Sequence, residues 1–236
     1  MHKSFPLPVK AVMIDLDGTL LDTAGDLAEA ANRMLQDLGL AQCEPATVRG
    51  YIGNGVERLV KRCLTGDWQA EPDAALLARA MPIFREHYDA TLTLTTRPYP
   101  GVMEGLKALR DMGVPLAVIT NKAERFTLPL LKQLGLSGYF GLVLSGDSLP
   151  KKKPDPLPLT HACRHFGIAP AEMLLIGDSE NDTQAARAAG CPVFCVPYGY
   201  NGGRDVAKLK PDAVVTDLLE ASRLITLLTT KDAGVV

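Results

Sequence analysis

Five short runs of this chain, residues 9–16, 115–120, 140–145, 173–177 and 192–196, are mostly apolar instead of alternating with polar residues. That pattern belongs to strands covered on both faces, which implies a parallel sheet between two layers of helix. A sixth, shorter run lies at 213–215. The stretches between the runs have helical periodicity and stop at Gly113, Gly135, Gly167 and Gly190, residues suited to the left-handed turn that ends a helix. Strand and helix in alternation predict a doubly wound, mostly parallel α/β sheet with a Rossmann-like core.

The alternation is interrupted once, over residues 22–98. Leu27, Ala31, Met34, Leu35 and Leu38 recur at helical spacing, as do Val56, Leu59, Val60, Cys63 and Leu64. Leu76, Ala80, Phe84 and Tyr88 form a third stripe, which Pro82 is expected to kink or split. No strand is evident there. The expected organisation is therefore a core domain of residues 1–21 and 99–236 with a helical cap subdomain, 22–98, inserted after the first strand. The stripes are expected to form the cap's own core; a partner-binding face is the other reading.

With 236 residues the chain can bury a core without disulfide or metal staples. Its 25 basic and 27 acidic side chains leave a net charge of -2, which provides no electrostatic basis for a nucleic-acid or anionic-membrane partner. No apolar run is long enough to span a bilayer. Pro6 and Pro8 interrupt the start where a signal peptide needs an apolar stretch, so a cytoplasmic location is expected. Five cysteines, an odd number without C-x-x-C spacing, are read as reduced and mostly buried. The tail, 231–236, lacks periodicity and is expected to fray. Monomer and homo-oligomer both remain open.

The chemistry gathers at strand ends. Asp15-Leu16-Asp17-Gly18-Thr19 follows the first strand, and Leu16 between the aspartates lets both carboxylates turn to the carboxyl end of the sheet, where α/β folds bind ligands. A buried strand ends in acidic groups only where something cationic meets them. Asp22 or Thr23 alone would be explained as a helix cap, but the Asp15/Asp17 pair would not. D-x-D-G-T fixes four positions, and at roughly one-in-fifteen usage it recurs by chance about once per 50,000 starting points. Gly177-Asp178-Ser179-Glu180-Asn181-Asp182 follows a second strand, so Asp178 and Asp182 can converge on Asp15 and Asp17. Clustered carboxylates need a cation, and oxygen-only donors select Mg²⁺ over a transition metal. Asp178 or Ser179 capping the next helix is the plainer alternative.

Val118-Ile119-Thr120-Asn121-Lys122 and Lys151-Lys152-Lys153-Pro154-Asp155-Pro156 bring hydroxyl, amide and ammonium donors suited to phosphoryl oxygens. Thr120, Asn121 and Lys153 are the candidate phosphate-binding residues, Lys153 because Pro154 and Pro156 fix the chain around it; Lys151 and Lys152 are read as surface charge. His161 and His165 lie four apart on a predicted helix but lack a third ligand, so they are read as ordinary surface or half-buried histidines. The glycine-rich run 198–203 opens no helix, so it is read as part of the site's rim and not as a dinucleotide fingerprint.

Four such elements in this order resemble the haloacid dehalogenase superfamily of aspartate-nucleophile hydrolases. Asp15-x-Asp17-Gly18-Thr19 is similar to its first motif, Thr120 to its second, Lys153 to its third and Gly177-Asp178-x-x-x-Asp182 to its fourth. The insertion resembles the family's helical cap, and the likeness covers residues 9–226. Within the superfamily, Tyr51-Ile52-Gly53-Asn54-Gly55-Val56, Arg97-Pro98-Tyr99-Pro100-Gly101-Val102, Thr120-Asn121-Lys122 and Tyr198-Gly199-Tyr200-Asn201 resemble the bacterial phosphoglycolate phosphatases. Three consecutive lysines at 151–153 depart from the single lysine of many relatives.

The resemblance implies a Mg²⁺-dependent phosphomonoesterase acting on a small phosphorylated carboxylic acid. Asp15 is the implied nucleophile and Asp17 the acid/base. Mg²⁺ is held by Asp15, Asp178 and the backbone carbonyl of Asp17, with Asp182 supporting it. In the cap, Gly53, Asn54 and Gly55 at a helix start are expected to seat the substrate carboxylate, with Arg58 and Arg49 as candidate charge partners. Other readings differ in what they require. A sugar phosphomutase would share the core and differ in the cap, whereas a dehalogenase would not need Asp17. A phospho-aspartate regulatory module would lack both Asp17 and the insertion.

Overall fold

The computed structural model describes residues 5–228. Lys10 divides the first apolar run. Its amide donates to the Glu172 carbonyl, and the chain on either side joins different sheets. β1 (Leu7–Val9) pairs in parallel with a strand near the far end of the chain, while β2 (Ala11–Ile14) enters the main sheet. β3 (Leu21–Asp22) then leads into four helices: α1 (Ala24–Asp37), α2 (Pro45–Tyr51), α3 (Val56–Thr65) and α4 (Ala74–Thr91). The chain returns through β4 (Arg97–Pro98), antiparallel to β3. Both connections of the inserted helices thus run through one two-residue strand pair. The sequence reading contains no strand in 22–98, because two residues are too few to show a period.

The remaining elements alternate: α5 (Val102–Asp111), β5 (Leu116–Ile119), α6 (Glu124–Gln133), β6 (Leu142–Leu144), α7 (Leu157–Phe166), β7 (Met173–Gly177), α8 (Glu180–Ala189) and β8 (Val193–Cys195). β9 (Ala213–Val214), α9 (Leu218–Arg223) and β10 (Ile225–Leu227) complete the order; β10 is the partner of β1 and was not expected. The main sheet is parallel throughout, in the order β6-β5-β2-β7-β8-β9. Side chains alternate between two cores. Val12, Ile14, Leu174 and Ile176 join one, and Ala11, Met13, Met173 and Leu175 the other. With both faces covered, each strand must be apolar at every position. Gly167 and Gly190 cap α7 and α8 in left-handed geometry, and Gly113 and Gly135 take it one residue beyond the caps of α5 and α6.

β2 and β7 lie side by side at the point where the strand order reverses, the place where such sheets bind ligands. α4 runs through Pro82 as one continuous helix, so of the expected kink or split the split does not occur. Pro82 lacks the amide that would bond the Ala78 carbonyl, but both residues are exposed, so solvent can take that carbonyl. None of the five cysteines is in a disulfide, and four are buried. No helix among the described residues is long and apolar enough to cross a membrane. The predicted fraying of 231–236 falls outside the described residues.

The insertion is fastened by Asp26, in the first turn of α1. One carboxylate oxygen accepts from the Thr95 amide (2.8 Å) and hydroxyl (2.6 Å), and the other accepts from the Thr96 amide (2.9 Å) and hydroxyl (2.6 Å). The group is 1% exposed. Asp26→Ala leaves four donors unpaired and is expected to cost about 3–5 kcal/mol, lowering the melting temperature by roughly 6–20 °C. A thermal melt within 2 °C of wild type would remove this carboxylate from that role.

Candidate active site

The turn after β2 aims two carboxylates the same way. The Asp15 amide still bonds the Ile176 carbonyl at 2.9 Å, and the Leu16 carbonyl then accepts from the amides of Leu20 and Leu21. Leu16 is fully buried in the core, so its neighbours Asp15 and Asp17 face the opposite side. Gly18 has φ +88°, and a Cβ there would stand 2.4 Å from an Asp178 oxygen. A Cβ on Gly199 would meet the same oxygen at 2.2 Å. These two glycines let the loops close on Asp178, whose carboxylate accepts from the Thr19 hydroxyl (3.2 Å) and the Tyr200 amide.

One carboxylate oxygen from each of Asp15, Asp178 and Asp182 lies within 4.8 Å of the other two, and all three residues are buried. The Lys153 ammonium sits 2.9 Å from Asp15 and 2.6 Å from Asp182. Asp17 has its own cation, Lys122, at 3.1 Å, and accepts from the Thr23 hydroxyl at 2.8 Å. The Lys122 ammonium also donates to the Tyr88 hydroxyl at 2.5 Å. Four carboxylates therefore face two ammonium groups, leaving two negative charges that one divalent cation would balance.

The titration of the cluster reflects this surplus. Burial pushes Asp15 from 3.8 up to about 7, outweighing the pull of Lys153 at hydrogen-bond distance. Burial, with the repulsion of Asp182 and Asp15, holds Asp178 well above the usual carboxylate range. For both lysines burial acts downward, but it is outweighed: Asp15 and Asp182 raise Lys153, and Asp17 and Tyr88 raise Lys122. Both ammonium groups stay charged.

Over Asp15 and Asp17 lies a small cavity of about 30 Å³. Thr120, Asn121 and Lys122 line it from the core; Leu27, Ile52, Gly53, Gly55, Val56 and Leu59 close it from the inserted helices. The structure thus brings together Asp15, Asp17, Asp178, Asp182, Thr120 and Lys153 from four separate segments.

Several expected site residues are placed otherwise. The Asn121 amide donates to the carbonyls of Gly53 (3.2 Å) and Lys153 (2.9 Å), so its side chain ties the insertion to the core and is not free for a phosphoryl oxygen. Asp182 has one oxygen on Lys153, while the other accepts from the Ser179 hydroxyl and two amides as a helix capping box. It holds Lys153 and the Asp178 loop, and one of its oxygens lies within 4.8 Å of the Asp15 and Asp178 oxygens. Asn54 is turned away from the cavity, accepting from Arg62 at 2.9 Å and donating to Asn181. Arg58 pairs with Glu71 at 2.7 Å on a separate groove, and Arg49 pairs with Asp22 at 3.0 Å. Lys152 is more than surface charge: its ammonium donates to the Asn54 carbonyl at 2.9 Å. Lys151 pairs only with Asp155, at 3.4 Å, among the described residues. Gly53 and Gly55 do line the cavity, with Gly55 capping α3.

Sequence reasoning gave Lys122 no role of its own, and it missed Tyr88 altogether as a site residue. Lys122 stands in the quoted strand-end element, but only the fold shows that its partner is Asp17. Tyr200 shapes more than the rim. Its amide holds Asp178, while its hydroxyl accepts from the Thr23 and Ala24 amides and donates to Asp22, tying the acidic cluster to the start of α1.

Residues 12–196 match the profile of the haloacid dehalogenase-like hydrolases. The chain is 64% identical over 224 residues to the phosphoglycolate phosphatase of Thiobacillus denitrificans, covering 95% of this chain and 99% of that one. It is 65% identical over 225 residues to the phosphoglycolate phosphatase of Nitrosospira multiformis, covering 95% and 98%. Among solved structures, one described as a predicted phosphoglycolate phosphatase from Haemophilus somnus superposes with a TM-score of 0.83 at 36% identity, covering 89% of this chain and 95% of that one.

Proposed function

Because the chain belongs to the haloacid dehalogenase-like hydrolase family, we propose that it hydrolyses 2-phosphoglycolate to glycolate and phosphate through an aspartyl-phosphate on Asp15. The observation that carries this reading is the pairing of Asp15 and Asp17 at one cavity, each with its own buried lysine. A carboxylate oxygen of Asp15 attacks phosphorus in line, and the bond from phosphorus to the glycolate oxygen breaks. Asp17 gives its proton to the departing alkoxide. It then takes a proton from the water that attacks phosphorus, releasing phosphate and restoring Asp15. Thr120 and Lys153 hold phosphoryl oxygens as charge moves among them.

The acidic cluster suits Mg²⁺: the donors are all hard oxygens, buried, and short by two positive charges. Asp15, Asp178 and the Asp17 backbone carbonyl would hold the ion. Bound there, it supplies the positive charge that lets an anionic nucleophile approach a phosphate dianion. Asp182 contributes by fixing Lys153. The five cysteines, none of them in a disulfide, accord with the cytoplasmic location expected from the sequence.

The first turn of α3 after Gly55, beside the cavity, offers amides to a substrate carboxylate. With Mg²⁺ present, 2-phosphoglycolate is expected to exceed ethyl phosphate in kcat/KM by about ten- to a hundredfold, and glucose 6-phosphate by more. Equal efficiencies on the three esters would remove the substrate assignment and leave the phosphatase.

A further inference from the structure

We propose that Lys122 recognises the substrate's carboxylate and that Tyr88 holds it in position to do so; the inference rests on the reading of 2-phosphoglycolate as substrate. Three observations carry it. First, among the described residues Lys122 is the single cationic side chain on the wall of the cavity, with Arg49 and Arg58 engaged by Asp22 and Glu71 outside it. Second, the lysine side chain is 1% exposed, and its ammonium has three donors. They reach both Asp17 oxygens (3.1 and 3.3 Å) and the Tyr88 hydroxyl (2.5 Å), which fix the ammonium at the cavity wall.

The third observation is the covalent geometry of the substrate against that of the site. Asp17 must reach the leaving oxygen, and in 2-phosphoglycolate the carboxyl carbon is two bonds from that oxygen. A cation 3.1 Å from the Asp17 carboxylate therefore stands beside the position the substrate carboxylate takes. Tyr88 fixes the cation from the insertion. Its hydroxyl accepts from Lys122, its ring lies 4.7 Å from the ammonium, and the ring packs on Phe126 of α6. The recognising charge thus comes from the core and its placement from the inserted helices. The carboxylate would be met only when the insertion is docked.

The test compares wild type, Lys122→Met, Lys122→Arg and Tyr88→Phe, all with Mg²⁺, on 2-phosphoglycolate and on ethyl phosphate, which lacks only the carboxylate. The readout is the ratio of the two kcat/KM values. Lys122→Met is expected to lower the ratio at least tenfold, mostly through a higher KM for 2-phosphoglycolate, and Lys122→Arg to recover part of it. Tyr88→Phe keeps the ring and is expected to lower the ratio by about threefold or more. If Lys122→Met does not fold, as judged by its thermal melt, Tyr88→Phe decides. A variant ratio equal to that of wild type, with both esters slowed alike, would mean that Lys122 serves Asp17 alone and would overturn the proposal. A wild-type enzyme without preference for 2-phosphoglycolate would instead overturn the substrate reading, and this inference with it.

Discussion

Asp15→Asn is expected to lower turnover by at least ~10⁴-fold and to leave no phosphoenzyme in acid-quenched samples, because an amide oxygen does not displace an alkoxide from phosphorus. The fold should survive. Asparagine keeps the shape and the one oxygen that accepts from both the Leu16 amide (2.8 Å) and Lys153 (2.9 Å). Stability should in fact rise in metal-free protein at alkaline pH. The carboxyl titrates near 3.8 when unfolded and near about 7 when folded, so its contribution to stability is full below pH 4 and is lost as pH rises toward 7. The variant has no such loss. Its melting temperature should exceed that of chelated wild type at pH 8, and the gap should close toward pH 4. Turnover above about one part in a hundred would take the nucleophile's role from Asp15.

Chelation is expected to be nearly as severe. EDTA should remove more than about 99% of activity and Mg²⁺ should restore it, whereas Ca²⁺ should bind without supporting turnover, since its longer and more numerous bonds loosen an in-line geometry. The same ion should stabilise the fold. At a hundredfold excess over its dissociation constant it contributes about 2.7 kcal/mol, a rise of roughly 5–10 °C in a chain of this size. The rise should grow between pH 5 and 8, because the ion competes with protons held on Asp15 and Asp178, both raised by burial and mutual repulsion. Full activity after exhaustive chelation, or a melting shift independent of pH, would rule out the Asp15–Asp178 metal site.

The parallel sheet was legible because burial on both faces leaves a local trace. Met173 to Gly177 must all be apolar or small when every one of them is covered, and the strand falls on those five residues. The D-x-D-G-T turn was legible for a related reason: Leu16 must enter the core, and that obliges its two neighbours to point away from it. The two-residue strands β3 and β4 and the distant partner of β1 left no such trace. Two or three residues carry no period, and pairing across more than 200 residues leaves no mark on either segment.

Within the site the division follows the range of the interaction. Residue type and position along a strand determined which groups reach the sheet's carboxyl edge: Asp15, Asp17, Thr120, Lys153 and Asp178 were all identifiable before any contact was known. Which charge meets which was decided only in three dimensions. Lys122 is 105 residues from Asp17, and Tyr88 is 34 residues from Lys122 on a different element. Arg58 looked as suitable for an anion as Lys122 does, yet it turned to Glu71 at 2.7 Å, because an ammonium or guanidinium takes the nearest carboxylate the fold offers. Local chemistry specifies what a side chain can bind. Packing of the insertion against the core specifies what it does bind, since a buried charge must find its partner among the groups that folding brings within about 3 Å.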